Sequence, residues 1–232
     1  MNLAVIPARG GSKRIARKNI KLFCGKPMLA WSIEAAKRSG CFDTVVVSTD
    51  DEEIAEVARK YGASVPFIRP TELSDDITGT SPVVRHAITA LAEQGHEFDK
   101  VGCIYATAPF LSGDSLKDAM CLLERDAPSY VFSVTSFPYP IQRALRLTDQ
   151  GRAEMFNPEH GPTRSQDLEE SFHDAGQFYL GSSQSWLAKK GMFNSAALAY
   201  VLPRYRVQDI DTHEDWVRAE YMMRAMQQTG EI

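Results

Sequence analysis

The chain has 232 residues, 44% of them hydrophobic and 24% charged, with a formal net charge of −4. That length suits a single α/β domain, residues 1–232, and is too short for two large ones. The acidic balance sets general nucleic-acid binding aside, and the apolar runs fall short of the ~20 residues of a membrane helix.

The apolar opening run precedes the first cations, the reverse of a secretory signal, so the protein is expected in the cytoplasm with no membrane partner. Cys24, Cys41, Cys103 and Cys121 are scattered, with no CxxC and no clustered His, and are expected to be reduced, mostly buried thiols rather than a disulfide framework or zinc site.

In chain order, residues 2–6 (NLAVI) form a near-continuous apolar strand of the kind buried on both faces. The loop ARGGSKRIARKN follows. Between Arg9 and Lys21 the cations are Arg9, Lys13, Arg14, Arg17, Lys18 and Lys21, with no acid among them. A helix is expected from Pro27 to Ser39, ended by Gly40. Residues 44–49 (TVVVST) make a second strand, with Asp50 as N-cap of a helix whose Ile54, Val57, Ala58 and Tyr61 share a face, stopped at Gly62.

A short strand is expected at Val65–Ile68, then the loop RPTELSDDITGTS and a helix opened by Ser81-Pro82. Strands at 100–105 and 130–135 flank a helix carrying Leu116, Ala119, Met120 and Leu123. This βαβαβ rhythm predicts a mostly parallel sheet with helices on both faces, whose ligands gather at the carboxyl ends of the strands. Residues 136–175 lose the rhythm and are expected to be an excursion from the sheet. Strands return at 177–180 and 197–202, and Thr212 with Asp215 makes a capping box before the last helix.

The opening loop has neither the GxGxxG nor the GxxxxGK[ST] spacing. It does supply glycines that let backbone N–H groups approach a ligand, a hydroxyl in Ser12, and cations for a polyanion. A solvated basic turn is the alternative. Asp209-Ile210-Asp211 on an extended strand would turn both carboxylates to one site with Ile210 in the core, a pair that suits magnesium. Asp211 could instead only support the following helix. Together, a polyphosphate cradle and a carboxylate pair describe nucleotidyl transfer, in which the protein mainly positions groups and neutralises charge.

The runs VIPARGGSKRIARKNI, GKPMLAWSIEAA, VVVSTDDEEIAEVA, FIRPTELSDD, TAPF and DIDTHEDW closely resemble the cytidylyltransferases that activate nonulosonic acids as CMP-sugars. The resemblance implies a Rossmann-like nucleotidyltransferase fold of the GT-A type. It also implies that Ala8, Arg9, Gly10, Gly11, Ser12 and Lys13 wrap the triphosphate and ribose of CTP, with Arg9 and Lys18 stabilising transition-state charge and Asn19 beside them. Arg69 and Ser81 lie where the family contacts cytosine and ribose, and Asp209 and Asp211 where it holds Mg²⁺, Asp211 being also a candidate catalytic group.

Two stretches depart from the sialic acid enzymes of that family, Tyr105 in place of Gln and HDAGQFY in place of a run with Arg-Pro-Asn. With FPYPIQRAL, they look most like the pseudaminic acid enzymes. Tyr105, Gln142, Arg143, Arg164, His173, Asp174, Gln177 and Tyr179 are therefore the sugar-side candidates, Arg164 for the sugar carboxylate. The family also implies a homodimer built by the excursion, with which Phe137, Tyr139, Ile141, Met155 and Phe156 are compatible. The alternatives are a CMP-sialic, CMP-legionaminic or CMP-Kdo synthetase and, from another class, a non-catalytic nucleotide-sugar binding module.

Overall fold

The computed structural model describes residues 1–189 and 191–231. Strand β1 (Asn2–Pro7) leads through the basic loop to a small hairpin of β2 (Leu22–Phe23) and β3 (Lys26–Pro27), then helix α1 (Met28–Ser39). Gly40 ends α1 at φ +64°, a left-handed turn that favours glycine. Next come β4 (Thr44–Ser48), α2 (Glu52–Lys60), α3 (Thr80–Ala92), β5 (Lys100–Ile104), α4 (Gly113–Asp126) and β6 (Tyr130–Ser136). The hairpin β7 (Leu145–Leu147) and β8 (Ala153–Met155) precedes β9 (Phe172–Ser182), α5 (Ser183–Leu187), β10 (Leu198–Val201) and α6 (His213–Thr229).

The main sheet has the order β10-β6-β9-β5-β1-β4. β1 runs parallel to β4 and β5, and β6 parallel to β10, while β9 is antiparallel to both β5 and β6. The reversal has a simple cause. β6 leaves the sheet at its carboxyl edge, the excursion stays at that edge, and the chain re-enters running the other way.

Alternate residues of β1 serve opposite faces. Ala4 and Ile6 pack with Leu29, Ile33, Ile54 and Leu116 of α1, α2 and α4. Leu3 and Val5 pack with Val84 and Ile88 of α3 and Trp186 of α5, whose indole N–H donates to the Val101 carbonyl at 3.0 Å. Burying each large apolar side chain in these layers contributes roughly 1.5–3 kcal/mol. A third cluster joins Phe23, Trp31, Phe110 and Trp216, fastening α6 against the β2–β3 hairpin.

Several expectations change. The N-cap of α2 is Asp51, whose carboxylate accepts from the Ile54 N–H at 3.0 Å, and not Asp50. Val65–Ile68 forms no strand, because only Ser64 bridges Val46 at the sheet edge. The strand expected at 177–180 spans Phe172–Ser182, so the last residues of the excursion belong to the sheet, as does Ser136. Cys103 alone of the four free thiols is buried, and burial pushes it up; Cys24 and Cys41 are half-buried and Cys121 exposed. Among the described residues no helix is long and apolar enough to cross a membrane.

Candidate active site

Because β4, β1 and β5 are parallel neighbours, the loops after them meet at one edge. They enclose a cavity of about 530 Å³ lined by Arg9, Ser12, Lys13, Arg14, Lys18, Asn19, Arg69, Thr80, Tyr105 and Asp211, among others. The basic loop is anchored from below. The Ala8 N–H donates to the Ser48 carbonyl at 2.9 Å, extending the strand pairing into the core. Ile15 is buried in the third cluster, and the Asn19 amide donates to the Arg9 carbonyl at 2.9 Å.

Gly10 is required by close approach. Its N–H donates to Asp50 Oδ1 at 3.0 Å, and a Cβ there would lie 2.7 Å from Asp51 Oδ2. Gly11 is exposed, with open space around it.

The cations of the loop divide into two sets. Arg17 turns away to Asp51 and Glu53, and Lys21 lies 4.4 Å above the Trp216 ring. Arg9, Lys13, Arg14 and Lys18 line the cavity. Arg14 Nη2 is 2.7 Å from Asp211 Oδ2, while Lys18 Nζ donates to the Ile210 carbonyl at 2.7 Å and to Asp211 Oδ1 at 3.2 Å. Arg9 donates to the Asp75 carbonyl at 2.6 Å and pairs with Asp76 Oδ1 at 2.7 Å, and Lys13 also pairs with Asp76. Lys13, then Arg9, hold the Asp76 carboxyl below its ordinary range.

Arg69 forms the inner wall. It is 4% exposed, with Nε donating to Ser74 Oγ at 3.1 Å and Nη2 3.6 Å from Asp50 Oδ1. Burial lowers its pKa against the opposing pull of Asp50. Ser81 sits in the first turn of α3 and does not line the cavity; its neighbour Thr80 does.

The sugar-side candidates separate. The Tyr105 hydroxyl faces the first cavity 3.1 Å from Thr80 Oγ1. Tyr179 lies behind it, its ring centroid 5.5 Å away and its hydroxyl donating to Asp174 Oδ2. His173 lines a second cavity of about 610 Å³ with Tyr139, Arg204, Gln208, Asp209 and Arg218. The other six, Tyr179 and Asp174 included, line neither cavity. Gln177 is 3% exposed and donates to the Arg206 carbonyl at 2.5 Å. Gln142 donates to the Glu169 carbonyl at 2.8 Å, Arg143 to Ser165 Oγ at 3.4 Å, and Arg164 to Asp167 Oδ2 at 2.9 Å, all within the excursion.

Asp209-Ile210-Asp211 is not a strand, although Ile210 is fully buried as expected. Asp211 opens into the first cavity and Asp209 into the second, so the segment forms a wall between them. Asp209 keeps a solvent-accessible face, yet the surrounding protein desolvates its carboxylate; this, with the nearby Asp211 charge, raises its pKa. A carboxylate whose pKa is raised by burial and by a neighbouring carboxylate is a donor that a hard divalent cation would relieve. No group of three or more His, Cys, Asp or Glu is placed to hold a metal ion among the described residues, and the expected convergence of both carboxylates on one site is not met: Asp209 faces the second cavity, while Arg14 and Lys18 occupy both oxygens of Asp211 at the first.

Arg14, Asp75, Asp76, Thr80, Arg204 and Arg218 were not singled out as site residues from the sequence. Asp76 could have been: SDD is an acidic cluster in a chain whose cations crowd another loop. Nothing local marks Arg204 or Arg218.

Residues 3–185 match the cytidylyltransferase family. A Campylobacter jejuni protein named pseudaminic acid cytidylyltransferase is 50% identical over 92% of this chain and 92% of its own length. A Legionella pneumophila protein named CMP-N,N'-diacetyllegionaminic acid synthase is 32% identical over 97% of each. The solved structure of CMP:2-keto-3-deoxy-manno-octonic acid synthetase complexed with CTP shares the fold, with a TM-score of 0.70 at 15% identity over 97% of this chain and 98% of that one. A cationic cavity at the carboxyl edge of a largely parallel sheet, and sequence identity extending through nearly the whole chain, lead to one conclusion: the chain belongs to the cytidylyltransferase family.

Proposed function

We propose that this protein transfers CMP from CTP to the anomeric hydroxyl of pseudaminic acid, releasing pyrophosphate. The observation that carries the reaction class is the cavity in which Arg9, Lys13, Arg14 and Lys18 converge opposite Arg69. A triphosphate fits such a set of cations, and the half-buried Lys18 would hold its charge against the α-phosphate as negative charge builds there. The hydroxyl oxygen loses its proton to solvent and forms the new bond to phosphorus while the bond to the β-phosphate oxygen breaks, and pyrophosphate leaves with that electron pair.

Asp211, the carboxylate of the pair that lines the cationic cavity, would hold a magnesium ion, which when bound would supply positive charge at the phosphates, with Asp209 beside it across the wall. Arg69, fixed by Ser74 and Asp50, would orient the nucleoside end. Pseudaminic acid is favoured over other nonulosonic acids by the 50% identity to the Campylobacter protein over 92% of the chain and by Tyr105 and HDAGQFY on the sugar side.

A second copy completing the assembly is supported by the exposed Tyr139, Leu145, Leu147, Phe156 and Phe172 of the excursion, more apolar surface than a polar segment needs alone. A cytoplasmic setting agrees with CTP as co-substrate. The test is pyrophosphate release from CTP with pseudaminic, N-acetylneuraminic and legionaminic acids, with and without magnesium or a chelator. Metal-dependent release that is fastest with pseudaminic acid is expected; release with another acid and none with pseudaminic acid would overturn the assignment.

A further inference from the structure

The contact between Asp174 and Tyr179 is one that a regular strand cannot make. Residues five apart on a strand point to opposite faces and lie about 16 Å apart. Here the β6–β9 register shifts between Phe132 and Val134. Ser133 Oγ fills the break, accepting from the N–H groups of Gln177 at 3.3 Å and Phe178 at 3.2 Å. Gly176, at φ +61°, turns the backbone, and its N–H donates to Asp174 Oδ1 at 2.9 Å. The bulge flips the parity and folds the strand back, so that Asp174 reaches the hydroxyl of Tyr179.

Both partners of the Asp174 carboxylate are donors, so it accepts twice, once on each oxygen. The single proton of Tyr179 is thereby committed away from the cavity. Its oxygen is left as an acceptor beside Tyr105, whose ring centroid lies 5.5 Å away. Burial keeps both phenols protonated. The Tyr105 hydroxyl next meets Thr80 Oγ1 at 3.1 Å, and both Tyr105 and Thr80 face the first cavity.

Resting on the function proposed above, we infer that Asp174 fixes the proton direction of the chain Thr80–Tyr105–Tyr179–Asp174, so that its cavity end accepts a hydrogen bond from an N–H or O–H of the bound sugar acid. Every hydroxyl in the chain donates toward Asp174, and the lone pairs at the Thr80 end are the ones left for the ligand. Acylated amines of a nonulosonic acid carry such N–H donors. Asp174 touches no ligand in this arrangement and is a positioning residue.

Asp174→Asn is nearly isosteric but offers one acceptor oxygen to two donors. It and Tyr179→Phe are expected to raise the KM for pseudaminic acid about tenfold while leaving the KM for CTP within about twofold. Thr80→Val should behave as they do, and Thr80→Ser should restore wild-type values. Unchanged sugar KM in Asp174→Asn and Tyr179→Phe, or equal increases for both substrates, would overturn the inference.

A second readout needs no turnover. The Tyr179 hydroxyl proton should give a slowly exchanging, downfield proton NMR resonance, assigned by its loss in Tyr179→Phe and also lost in Asp174→Asn. Its survival in Asp174→Asn would overturn the proton direction whichever sugar the wild type accepts, whereas failure of the substrate panel with the resonance behaving as expected would overturn the substrate assignment alone.

Discussion

Replacing Lys18 by Met keeps the length of the side chain and removes its charge, which has two separable consequences. In the folded chain the ammonium ties the basic loop to a segment 192 residues away through the Ile210 carbonyl and Asp211. At the 3.2 Å separation from Asp211, Coulomb's law gives about 5 kcal/mol at an effective dielectric of ~20 and about 1.3 kcal/mol in water. Lys18 is 19% and Asp211 33% exposed, so solvent screening and desolvation bring the net contribution to about 1–2 kcal/mol. For a chain of this size that is a fall in Tm of about 2–8 °C.

The catalytic loss is larger. A preorganised donor removed from developing charge costs about 10²-fold or more in kcat. Lys18 acts chiefly in the transition state, so the KM for CTP should rise far less than kcat falls. Differential scanning fluorimetry reads the first effect and steady-state pyrophosphate release the second. A variant with kcat within threefold of wild type would refute the placement of Lys18 against the α-phosphate, and a fall in kcat that only tracks thermal unfolding would refute its catalytic share.

Asp76→Asn removes the carboxylate that occupies Arg9 and Lys13, so CTP should bind a few-fold more tightly without metal, the modest change expected of exposed pairs. Calorimetric titration checks it, and weaker binding would show that Asp76 orients the cations rather than competing for them. Asp51→Ala removes the α2 N-cap and the partner of Arg17, and should cost at least about 1 kcal/mol at neutral pH. Arg17, with the Ile54 N–H, lowers the Asp51 pKa. Its stabilisation is thus complete above the ordinary carboxylate range and fades as pH falls through the lowered folded value. Urea midpoints of wild type and variant should therefore converge below about pH 4; a gap independent of pH would contradict this.

Much of the local architecture is legible in the chain. Continuous apolar runs marked β1 and β4, glycine marked the end of α1, and Thr212 with Asp215 marked the start of α6, because burial on both faces and capping are requirements of a few adjacent residues. The error at Asp50 was a single position, made because two adjacent aspartates satisfy the same local rule. Asp50 is instead turned to Gly10 and Arg69 by contacts that no local pattern encodes.

By itself the sequence determined that cations crowd one loop, that two aspartates flank a buried isoleucine, and that the loop follows the first strand of a mostly parallel sheet. Only the tertiary structure decided which cations face the cavity and which, like Arg17, are spent on a neighbouring helix. It also decided that Asp209 and Asp211 stand on two sides of a wall, and that Gln177 belongs to the core while Arg164 pairs within the excursion. The reason is physical: periodicity and capping are short-range and written in neighbouring residues. The direction of β9, the bulge that brings Asp174 to Tyr179, and the pairing of Asp76 with Arg9 depend on where distant segments meet once the sheet has closed.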